Sequence, residues 1–409
     1  MTDETPYDRR FWLCYASNFS FQAMVALLFR YADFVTAAGG DERWDLGWIV
    51  GIGMIGSLSM RSVQGVAIDR FGTRPIWLSS IVLILVSLAG HLAITSVHGP
   101  AVYVLRILYM TGLAGAYGAS ITFTFLRSKP QLMAEAVGTL GTAGFLGLIV
   151  GSYLSDWLCP EQQVSRESVN GLFLAAGGFM LFALVVSWFA TLGEQPPRPR
   201  RRPSMWAVLR RYHPGTLLFM SAVMGFGIAL PYTFLRPYLK ELGINGLGLF
   251  FTVYAVTAFV SRLTVRGWPQ RFGNRPMILA GMGFLILSVL LYLTVLEKVM
   301  WPLLFPALAA GVAHAVLFPA IVAGGSGSFP HRYRGLGTSL MLAMFDVGMF
   351  VGMPAVGGLL RGASYLGMPA FPTMFALVAA ALTLATGFFA WRARPAAADA
   401  ISQPPSLNT

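Results

Sequence analysis

The amino-acid sequence predicts an all-α membrane protein of twelve spanning helices, set out as two six-helix bundles with both termini on the cytoplasmic side. Three observations carry that prediction. Hydrophobic residues fill 56% of the 409 positions and charged residues only 11%, against roughly 25% charged in a soluble domain. Twelve apolar segments are each long enough to cross a hydrocarbon layer of about 30 Å. Lys and Arg collect in alternate connections between those segments. So few charges cannot clothe a water-facing surface, so lipid must be the solvent for most of this chain.

In chain order the first six segments are 11–32, 46–67, 75–96, 101–126, 134–155 and 170–192. The second six are 215–235, 247–265, 276–296, 302–326, 335–359 and 369–391. Arg262 interrupts the eighth. Arg9 and Arg10 precede the first, which resembles a signal peptide, but its apolar run exceeds the 7–15 residues of such a region and carries Asn18 and Gln22. It is read as a retained span. Of the 29 Lys and Arg residues, 21 fall on the face that holds the termini, 7 on the other, and Arg106 lies inside a span. That bias places both termini in the cytoplasm of a cell whose inner (plasma) membrane holds the protein.

The longest connection, 193–214, is rich in Pro and Arg and reads as a solvated linker. It separates an N-terminal bundle, 11–192, from a C-terminal bundle, 215–393. A short cytoplasmic segment, 1–10, precedes them, and a tail over 394–409, rich in Ala, Pro and Ser, is expected to be disordered. The net charge of +12 belongs to loops that set orientation, with no soluble domain behind them, so nucleic acid is not an expected partner. Cys14 and Cys159 fall on opposite faces of the layer, too far apart for a disulfide, and define no metal site. Methionines 341, 344, 349 and 353 are ordinary gap fillers, with no Cys or His on their span to make a soft-metal site. No cofactor is expected, and the lack of a phosphate-binding Gly-x4-Gly-Lys-Ser/Thr speaks against ATP use.

The two halves repeat at an offset of 201 residues. Arg61-Ser-Val-Gln-Gly-Val-Ala-Ile-Asp-Arg-Phe-Gly-Thr-Arg-Pro75 aligns with Arg262-Leu-Thr-Val-Arg-Gly-Trp-Pro-Gln-Arg-Phe-Gly-Asn-Arg-Pro276. Arg61/Arg262, Arg70/Arg271, Phe71/Phe272, Gly72/Gly273, Arg74/Arg275 and Pro75/Pro276 match. Without a gap, Tyr31 pairs with Tyr232 and Gly47 with Gly248. Both copies fall in the turn after the second span of their half, as two parallel six-helix repeats require.

Gly65-Val-Ala-Ile-Asp69-Arg70-Phe-Gly72-Thr-Arg74 resembles the loop signature of the major facilitator superfamily, Gly-x-x-x-Asp-Arg-x-Gly-Arg-Arg. It departs at Thr73, and the second copy has Arg266 and Gln270 for the Gly and Asp. Phe345-Asp346-Val-Gly348 also resembles the family, and the likeness covers essentially the whole chain. It looks most like bacterial sugar-efflux and drug-efflux members. The resemblance implies a secondary transporter that moves a small organic solute by alternating access, driven by protons. It further implies that Gly65, Asp69, Arg70, Gly72 and Arg74 latch the cytoplasmic ends of the bundles, with Arg271 and Gly273 as the second copy. The bland alternative is a topological anchor, and for Arg271 the missing acid leaves the two readings level. The family's antiport signature needs Gly-Pro where this chain has Gly151-Ser152, so antiport is not implied.

Polar groups inside the spans supply the candidate site. Gln22 and Asp346 each lie 11 residues into their span, about 16 Å deep at 1.5 Å per residue. His314 is one residue deeper. A charge there costs at least ~2.5–3.5 kcal/mol and should face protein or a wet cavity. Asp346 reads as the only acid deep in a span, either a proton-coupling group or a structural carboxyl. His314 is a proton carrier, a substrate contact or an interhelical histidine. Arg106 either takes part in coupling and anion binding, as the resemblance implies, or snorkels to the outer end. Asn18 and Gln22 share a helix face. Tyr109, Tyr117 and Tyr232 add aromatic contacts or sit in interfacial belts. Substrate contacts are therefore expected from Asn18, Gln22, Arg106, Tyr109, Tyr232 and His314, and coupling from Asp346, His314 and Arg106. The partners are a small solute, protons and lipid, with the chain working as a monomer. A non-transporting membrane receptor or scaffold is the competing reading. No His-Glu-x-x-His or Gly-x-Ser-x-Gly supports an enzyme.

Overall fold

The computed structural model describes residues 7–127, 133–160, 164–194, 205–265, 268–330 and 333–392. Within them the chain is helical, and twelve helices are long and apolar enough to cross a membrane. They are α1 (Arg9–Ala37), α2 (Trp44–Phe71), α3 (Thr73–Ala93), α4 (Pro100–Arg127), α5 (Gly138–Leu158), α6 (Arg166–Ala190), α7 (Thr216–Glu241), α8 (Leu247–Thr264), α9 (Asn274–Thr294), α10 (Trp301–Gly327), α11 (Arg334–Tyr365) and α12 (Ala370–Arg392). Every expected span has its helix. Several helices outrun their apolar windows, because backbone hydrogen bonding continues past the hydrocarbon layer while the apolar run stops at it. The clearest case is α1, which passes through a 3₁₀ turn at Leu28–Arg30 and runs on to Ala37. Within the basic linker a short helix is described over Met205–Arg211; residues 195–204, like the expected tail over 394–409, are outside the described residues.

Local sequence sets the helix ends. Asp8 caps α1 by accepting the Phe11 N–H at 2.8 Å, and Ser165 caps α6 through Ser168, as side-chain acceptors do for orphan N–H groups. The repeated turn needs its glycines: Gly72 has φ +89° and Gly273 φ +78°, a region that costs other residues a Cβ clash.

The helices group into halves. In the first, α1 packs on α5 and α6, and α4 on α2 and α3; in the second, α7 packs on α11, and α10 on α8 and α9. The halves meet along two crossings, α2 against α11 and α5 against α8. Of the α5 glycines, Gly147 and Gly151 press on the α1 carbonyls of Phe19 and Ala23, whereas a Cβ at Gly138 or Gly144 would meet nothing within 4 Å. Gly348, the repeat mate of Gly147, presses likewise on α7, where a Cβ would lie 1.9 Å from the Ala222 carbonyl oxygen. Backbone cannot swing aside, so Gly348→Ala is expected to overpack the α7–α11 contact at about 1–3 kcal/mol. Thermal unfolding in detergent checks this against Gly171→Ala, where nothing lies within 4 Å; equal melting temperatures would contradict it.

Here the face that carries the termini is the basic face, and the opposite one is the far face. The halves are closed at the far face. Arg43 pairs with Glu241 at 2.7 Å and Lys240 with Glu42 at 2.8 Å. A Cβ on Gly47 would sit 2.5 Å from the Met353 carbonyl oxygen, and Gly357 lies against the Arg43 carbonyl.

Candidate functional site

At mid-depth three helices of the second half bring polar groups together. Tyr232 on α7 and Tyr254 on α8 share a hydroxyl hydrogen bond of 2.7 Å, and the Tyr254 hydroxyl also bonds the His314 Nδ1 on α10. The Tyr232 ring stacks on Phe29 of α1, centroids 5.0 Å apart, so this chain of groups touches the other half. From that half, Gln22 accepts the Tyr117 hydroxyl at 2.5 Å. Asn18 does not join them. Its amide donates to the Cys14 carbonyl at 2.9 Å and accepts from Ser120 at 3.1 Å, buried between α1 and α4. The shared helix face expected for Asn18 and Gln22 therefore splits between the inside of the half and its inner wall.

Arg106 does not snorkel. It is 9% exposed, with its guanidinium carbon 4.6 Å from the Tyr31 ring centroid and 4.9 Å from that of Tyr109. Gly53 makes room for it: a Cβ there would lie 2.6 Å from the Arg106 Cγ. Aromatic faces attract a desolvated cation, but the Arg106 Nε finds no acceptor. Tyr109 thus supports the arginine, and its hydroxyl goes to the Met24 sulfur at 3.2 Å.

The two repeat-equivalent arginines are wall groups where the halves cross. Arg61 on α2 donates from Nε to Asp346 on α11 at 2.5 Å, and the Ser57 hydroxyl donates to the same carboxylate at 2.6 Å. Arg262 on α8 reaches α5, where its guanidinium carbon lies 5.4 Å from the Phe145 ring centroid. The offset of 201 that pairs Arg61 with Arg262 also pairs Phe145 with Asp346. The same crossing is therefore built twice, once with a carboxylate and once with a benzene ring. Arg262 has no ion pair among the described residues, and its buried Nε has no acceptor. Arg61 and Arg262, counted above among the charges of the basic face, lie within the spanning helices.

A second acid is buried in a spanning helix, near its far-face end. Asp33, one residue past the expected end of the first span, is 1% exposed inside α1. It accepts Arg30 Nε at 2.8 Å and, from the other half, Arg236 Nε at 3.0 Å. Arg30 also donates to the carbonyls of Ser155 and Cys159 at the end of α5. On α5, Asp156 accepts the backbone N–H of Gly248 at the start of α8, at 2.7 Å. Arg30 and Arg236, counted as far-face loop charges, are buried because the 3₁₀ turn and the α7 helix aim them inward.

The loop-signature residues lie at the basic face. Asp69 is half-buried in the last turn of α2, with Gly65 exposed one turn before it. Arg70 and Arg271 lie over their neighbours Phe71 and Phe272, at 5.2 and 5.3 Å. Arg74 covers Trp188 at 4.4 Å and donates to the Thr191 carbonyl; Arg275 donates to the Ala390 carbonyl at 2.8 Å. Each thus ties the turn to the last helix of its own half in this far-closed conformation.

A family model described as Major Facilitator Superfamily matches residues 11–266 and 217–406. Monocarboxylate transporter 2 of Homo sapiens is 25% identical over 251 residues, covering 53% of this chain and 49% of that protein. The chain thus spans about half the length of that curated relative. Among solved structures, the nucleoside transporter NupG in a variant form superposes with a TM-score of 0.77 at 12% identity, covering 95% of this chain and 100% of that one. A D-xylose–proton symporter gives 0.72 at 16% identity, covering 92% and 96%. Likeness at such identities carries the fold.

Proposed function

The chain belongs to the major facilitator superfamily, and on that premise we propose that it is a secondary transporter of a small organic anion of the monocarboxylate kind, moved together with a proton by alternating access. The observation that carries the reading is Arg262 facing Phe145 where its repeat mate Arg61 faces Asp346. Arg262 is half-buried in the last turn of α8, with no ion pair among the described residues and no acceptor for its buried Nε. A solute carboxylate beside Arg262 replaces the missing counter-charge and offers the two-oxygen geometry that a guanidinium fits best. The name of the human relative agrees with that chemistry.

In this reading the solute's carboxylate sits at Arg262, and the aromatic and hydroxyl groups of Tyr232, Tyr254 and His314, with Gln22 opposite, receive its body. Arg106 is a second cation on the path. Asp346 is the proton-coupling group: a proton on its carboxylate weakens the bond to Arg61 and loosens the α2–α11 crossing. His314 and Arg106 are the other groups assigned to coupling. Gly65, Asp69, Arg70, Gly72 and Arg74, with Arg271 and Gly273, form the basic-face latch in the opposite, far-open conformation. The basic face is cytoplasmic by its charge bias, in the plasma membrane, with a single chain as the working unit.

One anion carried with one proton moves no net charge. Purified protein in liposomes is therefore expected to take up labelled pyruvate or lactate faster under an inward proton gradient. A valinomycin-clamped potassium potential is expected to leave the rate unchanged. Flux measured in both directions tests the efflux direction. Uptake of uridine or xylose in the same vesicles, with no carboxylate moved, sinks the reading.

A further inference from the structure

At the far face, two carboxylates of the first half sit on cationic or N–H groups of the second. Asp33 holds Arg236, and Asp156 holds the first turn of α8 through the Gly248 N–H. The Asp33–Arg236 pair is nearly dry, with side chains 1% and 3% exposed. If the halves rock apart, the two carboxylates leave with the first half. Asp33 keeps a partner, because Arg30 lies on its own helix three residues before it. Arg236 stays with the second half and turns toward the opened mouth.

We propose that Arg236 is an entry site for the substrate's carboxylate from the far compartment, and that Asp33 is its built-in competitor. In the closed gate Arg236 holds Asp33. In the open gate it holds the arriving anion, and movement of that anion inward to the centre frees Arg236 to take Asp33 back and shut the mouth. The site recognises a carboxylate through a guanidinium. Only an anion that binds the open form better can shift the gate. This rests on the proposed transport of an organic anion.

The groups around Asp33 fit that role. From α1 it faces Arg30, and from α7 Arg236. From the end of α5 come Asp156, 4.0 Å from Arg30, and Cys159, whose thiol burial pushes up to about 11 and so keeps neutral. The neighbouring flank of α1 is occupied separately, with His91 of α3 bonded to Tyr31, Arg106 of α4 over Tyr31, and Arg166 of α6 over Phe34. Proton uptake is not required, since exchange of one carboxylate for another conserves the charge around Arg236.

The test reads gate opening directly. Thr95→Cys and Glu297→Cys place nitroxides on exposed far-face loops of the two halves, with Cys14→Ala and Cys159→Ala removing the native thiols. An Arg262→Gln background silences the proposed central seat. Pulsed electron resonance then follows the inter-label distance against sodium pyruvate, with sodium chloride at equal ionic strength as the reference. Pyruvate is expected to populate a longer distance saturably. Asp33→Asn populates it without pyruvate and lowers the half-saturating concentration several-fold. Arg236→Gln also opens the gate, but pyruvate adds nothing further, while Arg236→Lys, which keeps the charge, retains the response. No pyruvate response in the Arg262→Gln protein, or one that survives Arg236→Gln, overturns the proposal. A full distance response with no carboxylate flux in the unsubstituted protein leaves this site standing and removes the transport reading instead.

Discussion

Arg262→Gln is expected to lower monocarboxylate uptake about 100-fold, and Phe145→Asp to do nearly as much by a different route. Truncating one partner of a desolvated charge pair costs roughly 2–5 kcal/mol, and each 1.4 kcal/mol is tenfold in affinity. The glutamine keeps a polar donor on a shorter side chain but loses the charge and the fork. The aspartate leaves Arg262 in place and supplies a carboxylate where the repeat mate has one, so the guanidinium is satisfied from within the chain. The two variants part in stability. Phe145→Asp neutralises a half-buried cation whose guanidinium carbon lies 5.4 Å from the Phe145 ring, so it should melt no lower than the Arg262→Gln protein. Arg262→Lys restores the charge without the two-pronged geometry and should recover only part of the activity. Initial rates in liposomes, with melting curves on the same preparations, check all three. Phe145→Asp transporting at the normal rate would show that Arg262 does not seat the anion.

The sequence reveals the helices more readily than it reveals which of their faces meet. Apolar run length is a property of one segment, so all twelve spans can be read from it, while the linker and the 201-residue repeat group them into halves. The crossing of α2 over α11 is a relation between distant segments, and no local periodicity announces it. In the sequence Arg61 and Arg262 therefore read as orientation charges, although both reach across the interface. The missing signal was present in the repeat: the ungapped offset that pairs the two arginines also pairs Phe145 with Asp346. Asp33 was lost for a different reason. The span window closes at residue 32, and nothing in Leu28-Phe29-Arg30 signals a 3₁₀ turn that carries the helix, with its acid, beneath the far face. Asn18 shows the converse case, since a polar residue on an inner helix is as well served by Ser120 and a carbonyl of its own helix as by a substrate.

Gly47→Leu is expected to stop transport while leaving the protein folded and able to bind its anion. Gly47 and its repeat mate Gly248 sit at the far ends of α2 and α8, each facing the other half. A Cβ on Gly47 would lie 2.5 Å from the Met353 carbonyl oxygen and 3.3 Å from the Gly357 Cα. These are backbone atoms of α11, so the closed far face cannot admit a leucine there by turning a side chain. Overpacking of this kind typically costs 1–3 kcal/mol, and here the halves escape it by staying apart, so the strain falls on one conformation. A shift of about 3 kcal/mol between two states changes their ratio by more than a hundredfold. Gly248→Leu should act less strongly, because its obstacles are the half-exposed Tyr153 ring at 2.9 Å and the Asp156 carboxylate at 3.1 Å, both able to move. The far-face label pair should show a longer distance in both variants, more completely in Gly47→Leu, with pyruvate uptake falling in the same order and the melting temperature nearly constant. A Gly47→Leu protein that cycles normally would mean the far face does not close through this contact, and the closed conformation described here would then lie off the transport cycle.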